Sequence, residues 1–440
     1  MTLQQRYRIK VVLWTGLYIS LLTAPLFFAR MGHEEPSRNF GTEFGVALGF
    51  MALAMMSLQF MVTGRFRWVA GMFGADAKLQ LHRFAGIAAG CLILGHVAFL
   101  LISNPENISY FDPRENLPRA LALIAALTSL TLILVTSNWR LPLGLCYERW
   151  LLIHGLLSLF VVFIGLVHIL QVGFYVSTRG QQVLWSLATA IAMGFLLHVR
   201  LVKPWQLARR PYKVNRIERE LEGVWTMVVQ ANGHGGMRFK SGQFAWISVK
   251  KTPFTLQKNP YSFSSSDSAF GELAFTIKEE GDFGAGIKRL NPGAPVYLEG
   301  PYGVFTLSED ATGAFFVAGG IGITPIMSML RSLRDRRDRR PLVLIYGNSD
   351  IDGIVFREEL ETLQQVLNLE VTHVLEDPPA DWQGETGYID ADLMEKHRLC
   401  REGCEYFVCA PGVLMDVVET TIAGWGVPTR RIKSERFDFV

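Results

Sequence analysis

The sequence predicts a membrane-spanning bundle of six α-helices, followed by a small β-barrel and an open, parallel α/β sheet. Three observations predict it. Charge is segregated: long charge-poor runs fill residues 11–202, while the remainder has an ordinary soluble composition. Only 19% of the 440 residues are charged, against about 25% in typical soluble domains. The second half then reads first as short alternating segments and later as strands alternating with amphipathic helices.

A transmembrane helix needs about 20 apolar residues. Six stretches qualify, near 11–29, 43–63, 81–102, 118–136, 150–172 and 183–202. The first is too long for a signal peptide and has no small-residue cleavage site before the next span, so it reads as a span. Cations set the orientation. Arg6, Arg8 and Lys10 precede the first span, Arg65 and Arg67 follow the second, Arg140 and Arg149 bracket the fifth span's entry, and Lys203, Arg209 and Arg210 follow the sixth. The other connections carry acids and fewer cations. Both termini are therefore expected inside a cell's inner (plasma) membrane, with the soluble half cytoplasmic. The net charge of +3, from 43 cations and 40 anions, gives no reason to expect a nucleic-acid partner.

Four histidines lie within these spans: His82 and His96 on the third, His154 and His168 on the fifth. Each pair is 14 residues apart, just under four turns, so each lies near one helix face about 21 Å apart along the axis. The two helices run in the same direction, so His82 levels with His154 near the cytoplasm and His96 with His168 near the far side. Two facing imidazoles are what a six-coordinate haem iron needs. A membrane-buried His is otherwise a packing residue, but a duplicated spacing on parallel helices favours ligation. His198 has no matched partner, and His33 falls in an outer loop. Cys400, Cys404 and Cys409 follow no zinc spacing and read as reduced thiols.

Pro204 and Pro211 bracket a basic linker, 204–210. The alternating segments over 211–308 predict the barrel. It contains Pro260-Tyr261-Ser262, then Lys278 with the small-residue run through Gly284 and Gly286, then Gly300-Pro301-Tyr302-Gly303. From 309 to 440 a buried strand leads into Gly319, Gly320, Gly322, Thr324 and Pro325, and an amphipathic helix follows. Glycines opening a helix let backbone N–H groups approach phosphates. Cys409 ends a later strand, where parallel sheets bind ligands.

In this order, the Pro-Tyr-Ser, Gly-Pro-Tyr-Gly, Gly-Gly-x-Gly-x-Thr-Pro, Cys-x-Pro-Gly and terminal Glu-x-aromatic motifs resemble the ferredoxin–NADP reductase superfamily over about 211–440. With the six spans and four histidines, the whole chain resembles the NADPH oxidase and ferric reductase superfamily. The resemblance implies FAD, two b-type haems, and NADPH or NADH as donor. It places Tyr261 and Ser262 at the isoalloxazine, with Pro260 beside them. Lys278, Gly284 and Gly286 fall at the FAD pyrophosphate, and Gly319, Gly320, Gly322, Thr324 and Pro325 at the dinucleotide phosphates. Cys409 and Glu435 fall at the hydride path, and Phe437 over the flavin. Ser262, Cys409, Glu435 and Phe437 are thus the expected catalytic set. Three positions depart from the family pattern: Asn259 replaces Arg or His, Ala410 replaces Gly, and Leu100 replaces a histidine that oxygen-reducing relatives often carry.

The implied reaction is electron transfer from NAD(P)H across the membrane, with dioxygen yielding superoxide as the favoured acceptor. A ferric or cupric chelate, or a periplasmic protein, is the alternative. No obligatory protein partner is implied. Ser349 and Arg357 permit NADPH, whereas Asp350 favours NADH.

Overall fold

The computed structural model describes residues 3–31, 38–64, 75–269, 271–398 and 403–436. His33, Arg65, Arg67, Cys400 and Phe437 lie outside the described residues. The chain divides into two compact units, Met1–Val69 with Ala77–Lys203, and Ala70–Asp76 with Pro204–Val440.

The first unit is helical. Its helices are α1 (Leu3–Arg30), α2 (Phe40–Val62), α3 (Ala75–Ser103), α4 (Leu117–Asn138), α5 (Tyr147–Val172) and α6 (Arg179–Leu197). Among the described residues, six helical stretches are long and apolar enough to cross a membrane. Local signals set their ends. The Asn39 side chain accepts from Thr42 N at the start of α2, and Thr178 and Gln181 form a reciprocal capping box on α6. Gly173, with φ 68°, ends α5 in the left-handed conformation that glycine adopts without strain. Leu53, Phe50, Val162 and Trp185 form part of the interior core, while Leu94, Leu121, Ile153 and Ile191 face outward. That outward apolar surface suits lipid, which offers backbone groups no hydrogen bonds. A π-helical turn, His198–Val202, follows α6, and the expected linker begins as a short helix, α7 (Lys203–Ala208).

The second unit holds two six-stranded sheets. The first comprises β1 (Tyr212–Leu221), β2 (Val224–Ala231), β3 (Phe244–Ser248), β4 (Asn259–Ser262), β5 (Glu272–Lys278) and β6 (Pro295–Tyr302). Short helix α8 (Gly281–Gly286) lies between β5 and β6. The strand order is β4-β3-β6-β1-β2-β5, and every pairing is antiparallel. The predicted barrel is not closed by a ladder: β4 and β5 are the sheet's edges. Beyond β4, Ser264 N donates to Ala274 O at 2.8 Å, and Ala274 N donates to the Ser265 hydroxyl at 3.2 Å. The carbonyls of Ser264 and Ser265 accept from Arg331 Nη1 and Ser328 Oγ, side chains of the helix Ile323–Asp335.

The second sheet is wholly parallel, in the order β10-β9-β8-β7-β11-β12. It contains β7 (Ala314–Gly319), β8 (Leu342–Asn348), β9 (Leu369–Leu375), β10 (Glu385–Thr386), β11 (Glu405–Cys409) and β12 (Ile432–Ser434). Helices α9 (Ile323–Asp335), α10 (Arg357–Val366), α11 (Ala391–Lys396) and α12 (Gly412–Gly424) accompany it. Strand β7 has residues in both core clusters: Phe316 packs in one and Phe315 and Val317 in the other. This is why it reads as an uninterrupted apolar run. Cys404, expected as a reduced thiol, is disulfide-bonded, and Cys409 is free.

Candidate functional site: facing histidines and a glycine-loop sheet

Helices α3 and α5 bring the intramembrane histidines together in two pairs. The rings of His82 and His154 lie 6.1 Å apart at 68°, and those of His96 and His168 lie 6.4 Å apart at 80°. An iron about 2 Å from two ring nitrogens, with each ring centre about 1.1 Å further back, separates the centres by about 6.2 Å. Both gaps match that distance. Among the described residues no group of three or more His, Cys, Asp or Glu is arranged to hold a metal ion, but a bis-imidazole haem needs only two protein ligands.

The rings are held by their other nitrogens. His82 Nδ1 contacts Gln59 Oε1 at 2.8 Å, His96 Nδ1 contacts Gly45 O at 2.8 Å, and His154 Nδ1 contacts Ser137 Oγ at 3.2 Å. For His82 and His96 an oxygen acceptor fixes the proton on Nδ1, which leaves the Nε2 lone pair able to bind a metal. Gly49 makes room on α2, because a Cβ there would sit 2.7 Å from His96 Nδ1. A cavity of about 470 Å³ surrounds the His96–His168 pair, with Gly49, Gly165 and Leu100 in its apolar wall and Arg38, Asn104 and Tyr110 at its polar side. The Arg38 guanidinium stacks 4.1 Å from the Phe174 ring centre.

In the second unit, Pro260, Tyr261 and Ser262 form most of edge strand β4. Tyr261 stacks on Phe283, with ring centres 5.4 Å apart. Burial, reinforced by Glu280, pushes its phenol up to about 12, so it is a neutral hydrogen-bond donor at physiological pH. Asn259 Nδ2, Ser262 Oγ and Ser264 Oγ are buried without protein partners. Such orphaned polar atoms on β4 and just beyond it leave hydrogen-bonding capacity for a polar ligand. Gly286 borders a small cavity with Lys250, Gln257 and Asp282. At Gly284, a Cβ would collide with the Lys278 carbonyl. Lys278 itself is exposed and paired with Glu280 at 2.6 Å.

The glycine loop lies at the carboxyl end of β7. Gly319 ends the strand, Gly320–Gly322 form a 3₁₀ turn, and Thr324 and Pro325 enter α9. The Thr324 hydroxyl donates to Ile321 O at 2.8 Å, which commits its proton to the loop. Gly322 abuts the Cys409 carbonyl so closely that a Cβ would collide with it. Cys409 ends β11 beside Ala318. Burial, then the nearby Glu435 carboxylate, raises its thiol well above the usual range, so it is a protonated thiol rather than a thiolate nucleophile. Glu435 N donates to Val408 O at 3.0 Å, which brings Glu435 to this strand end.

Sequence reasoning missed the side chains that join the two sheets. Ser328 Oγ donates to Ser265 O at 2.7 Å, Arg331 Nη1 to Ser264 O at 2.6 Å, and Asp267 N to Ser332 Oγ at 3.0 Å. The helix that begins at the glycine loop is thereby bolted to the segment following Pro-Tyr-Ser. The signal was present as polar residues at i, i+3 and i+4 within an otherwise buried helix.

Comparison with known proteins gives this geometry a context. The family profile described as "Ferric reductase like transmembrane component" matches residues 48–165, and "Oxidoreductase NAD-binding domain" matches 316–420. Ferredoxin–NADP reductase B of Sorangium cellulosum is 30% identical over 213 residues, which cover 46% of this chain and 86% of that protein. The chain belongs to the NADPH oxidase and ferric reductase-like superfamily. Its soluble half is of the ferredoxin–NADP reductase type, which makes this member of the superfamily an oxidoreductase with a membrane-spanning component. NADH-cytochrome b5 reductase 1 of Debaryomyces hansenii is 28% identical over 173 residues, covering 38% of this chain and 61% of that protein. A ferredoxin NADP⁺ reductase from Neisseria gonorrhoeae, solved with bound FAD and NADP, is 19% identical, with a TM-score of 0.45 over 52% of this chain and 98% of that one.

Proposed function

We propose that this superfamily member carries electrons from cytosolic NAD(P)H, through FAD and two b-type haems, to an acceptor at the outer face of the plasma membrane. The observation that carries the reading is the pair of facing imidazole sets, 6.1 and 6.4 Å apart, in a chain that also holds a complete dinucleotide-type sheet. When bound, FAD converts one hydride into two single electrons, and each haem relays one electron at a time.

The protein's own residues divide the work. Gly319, Gly320 and Gly322 present backbone N–H groups to the dinucleotide phosphates at the start of α9. Cys409 and Glu435 sit at the neighbouring strand end and shape the nicotinamide position, and Phe437 is assigned to cover the flavin. Pro260, Tyr261 and Ser262 hold the flavin ring, and the orphaned Ser262 hydroxyl and Asn259 amide supply polar contacts to it. Gly284 and Gly286 allow close approach of the pyrophosphate. Lys278 serves the same group after release from Glu280. His82 with His154, and His96 with His168, would each supply two imidazoles to a haem iron, which would leave an acceptor to take its electron without ligating iron. With residues 1–203 as membrane domain, 211–308 as FAD domain and 309–440 as NAD(P) domain, both termini are cytoplasmic.

With dioxygen as acceptor the balance is NAD(P)H + 2 O₂ → NAD(P)⁺ + H⁺ + 2 superoxide. A ferric or cupric chelate reductase is the second reading, and a periplasmic protein acceptor would use the same path. One observation favours the chelate: Leu100, in the cavity wall, stands where oxygen-reducing relatives often carry a histidine. The test of the common path is haem content. Purified protein should hold two b-type haems, and His82→Leu or His154→Leu should each hold one while keeping NAD(P)H-to-dye activity. Two haems retained in either variant would defeat the ligand assignment.

A further inference from the structure

At the His82–His154 level lies an indole that no role above uses. Trp150 precedes His154 by one turn of α5, and their ring centres are 5.2 Å apart at 44°. Tyr147 lies 5.7 Å from Trp150. The Arg140 guanidinium sits over both rings, 5.4 Å from Tyr147 and 5.9 Å from Trp150.

A tryptophan at the end of a membrane helix ordinarily anchors at the interface, with its N–H in the headgroup and water layer. Trp150 does not fit that role, because its Nε1 is buried and has no hydrogen-bond partner. A buried indole N–H without an acceptor costs about 1–3 kcal/mol, and tryptophans at such positions find one. The indole packs against the His154 ring, so a group seated between His82 and His154 is placed to supply that acceptor. Arg140 makes that acceptor's favoured charge negative.

We infer that Trp150 donates its N–H to a carboxylate of the prosthetic group seated between His82 and His154, with Arg140 as the countercharge. The inference rests on the haem reading proposed above, in which the carboxylate is a haem propionate. Trp150 is thus a positioning residue that sets the tilt and reduction potential of one haem. A hydrogen bond that disperses propionate charge favours the reduced iron, so its removal lowers the potential.

The test uses full-length, detergent-solubilised protein and spectroelectrochemical titration of both haems. Trp150→Phe should retain two haems, lower the midpoint potential of one and leave the other unchanged. Trp185→Phe, a change in the core of the same bundle stacked on Phe50, should shift neither. Two retained haems with both potentials unmoved in Trp150→Phe would overturn the inference. Should that variant fail to accumulate, ultraviolet resonance Raman on the unmodified protein decides. The haem-loaded minus haem-depleted spectrum must show one indole N–H gaining a hydrogen bond, and its absence overturns the inference. Unmodified protein without haem would overturn the functional reading itself, which is a distinct result.

Discussion

Gly322→Ala strains the glycine loop where it meets the end of β11. Gly322 has φ −60°, which any residue adopts, so alanine meets no backbone penalty there. The obstacle is contact. The added Cβ would overlap the Cys409 carbonyl oxygen and lie 2.8 Å from its carbon. That carbonyl belongs to a strand paired on both sides, through β7 and β12, so it cannot retreat. The loop must move instead, by roughly 1 Å to restore ordinary contact, at a cost of about 1–3 kcal/mol. If the phosphate cradle bears that cost, NAD(P)H binding weakens by about 10- to 100-fold. Gly320→Ala is the matched control. Its φ of 51° makes alanine costly by about 1 kcal/mol, but a Cβ there meets nothing within 4 Å. The assay is steady-state NAD(P)H-to-ferricyanide turnover, with FAD and haem content as internal checks. Gly322→Ala should raise KM at least tenfold with both cofactors retained, and Gly320→Ala should raise it less. An unchanged KM in Gly322→Ala at unchanged thermal stability would refute the placement of the phosphates on this loop.

Three further outcomes follow from named contacts. Gln59→Leu removes the acceptor that fixes the His82 tautomer, so the affinity of one haem should fall about 10- to 100-fold; identical haem dissociation rates would contradict that role. Asp350 Oδ1 accepts from Gly353 N at 2.8 Å, so Asp350→Asn, which keeps the acceptor and removes the charge, should raise the NADPH-to-NADH ratio of specificity constants, and an unchanged ratio would end Asp350's part in coenzyme choice. Arg340 hydrogen bonds hold Asp338 below the usual carboxylate range, so that contribution to stability is present above about pH 4 and is lost as pH falls through the depressed value; Arg340→Gln should flatten the acid limb of the Tm profile, and an unaltered limb would remove the pair from it.

The spans were legible because a bilayer demands about 20 apolar residues in a row. The histidine levels followed from helical periodicity alone. The parallel sheet was legible from strand–loop–helix alternation, with Gly319 and Cys409 at two strand ends. The edge position of β4 was not, nor was the capture of the Ser264 and Ser265 carbonyls by Arg331 and Ser328, more than 60 residues away. Gln59 was equally hidden: its contact with His82 spans 23 positions and two helices. Lys278 reads as a phosphate cation in a motif, yet it lies beside Glu280, a competitor only two residues on. Local pattern thus located the elements and their chemistry, while long-range polar contacts decided how they are held.

The central claim is that hydride taken from NAD(P)H in the second unit becomes reduced haem in the first. The direct test is anaerobic addition of NADPH, then NADH, to purified, FAD-supplemented protein, with the flavin and haem spectra followed together. Flavin should bleach first, two b-type haems should then reduce, and the haems should reoxidise rapidly when oxygen is admitted if dioxygen is the acceptor. Haem that stays reduced in oxygen would shift the acceptor to a metal chelate or a protein. Flavin that bleaches while no haem band forms would contradict the account.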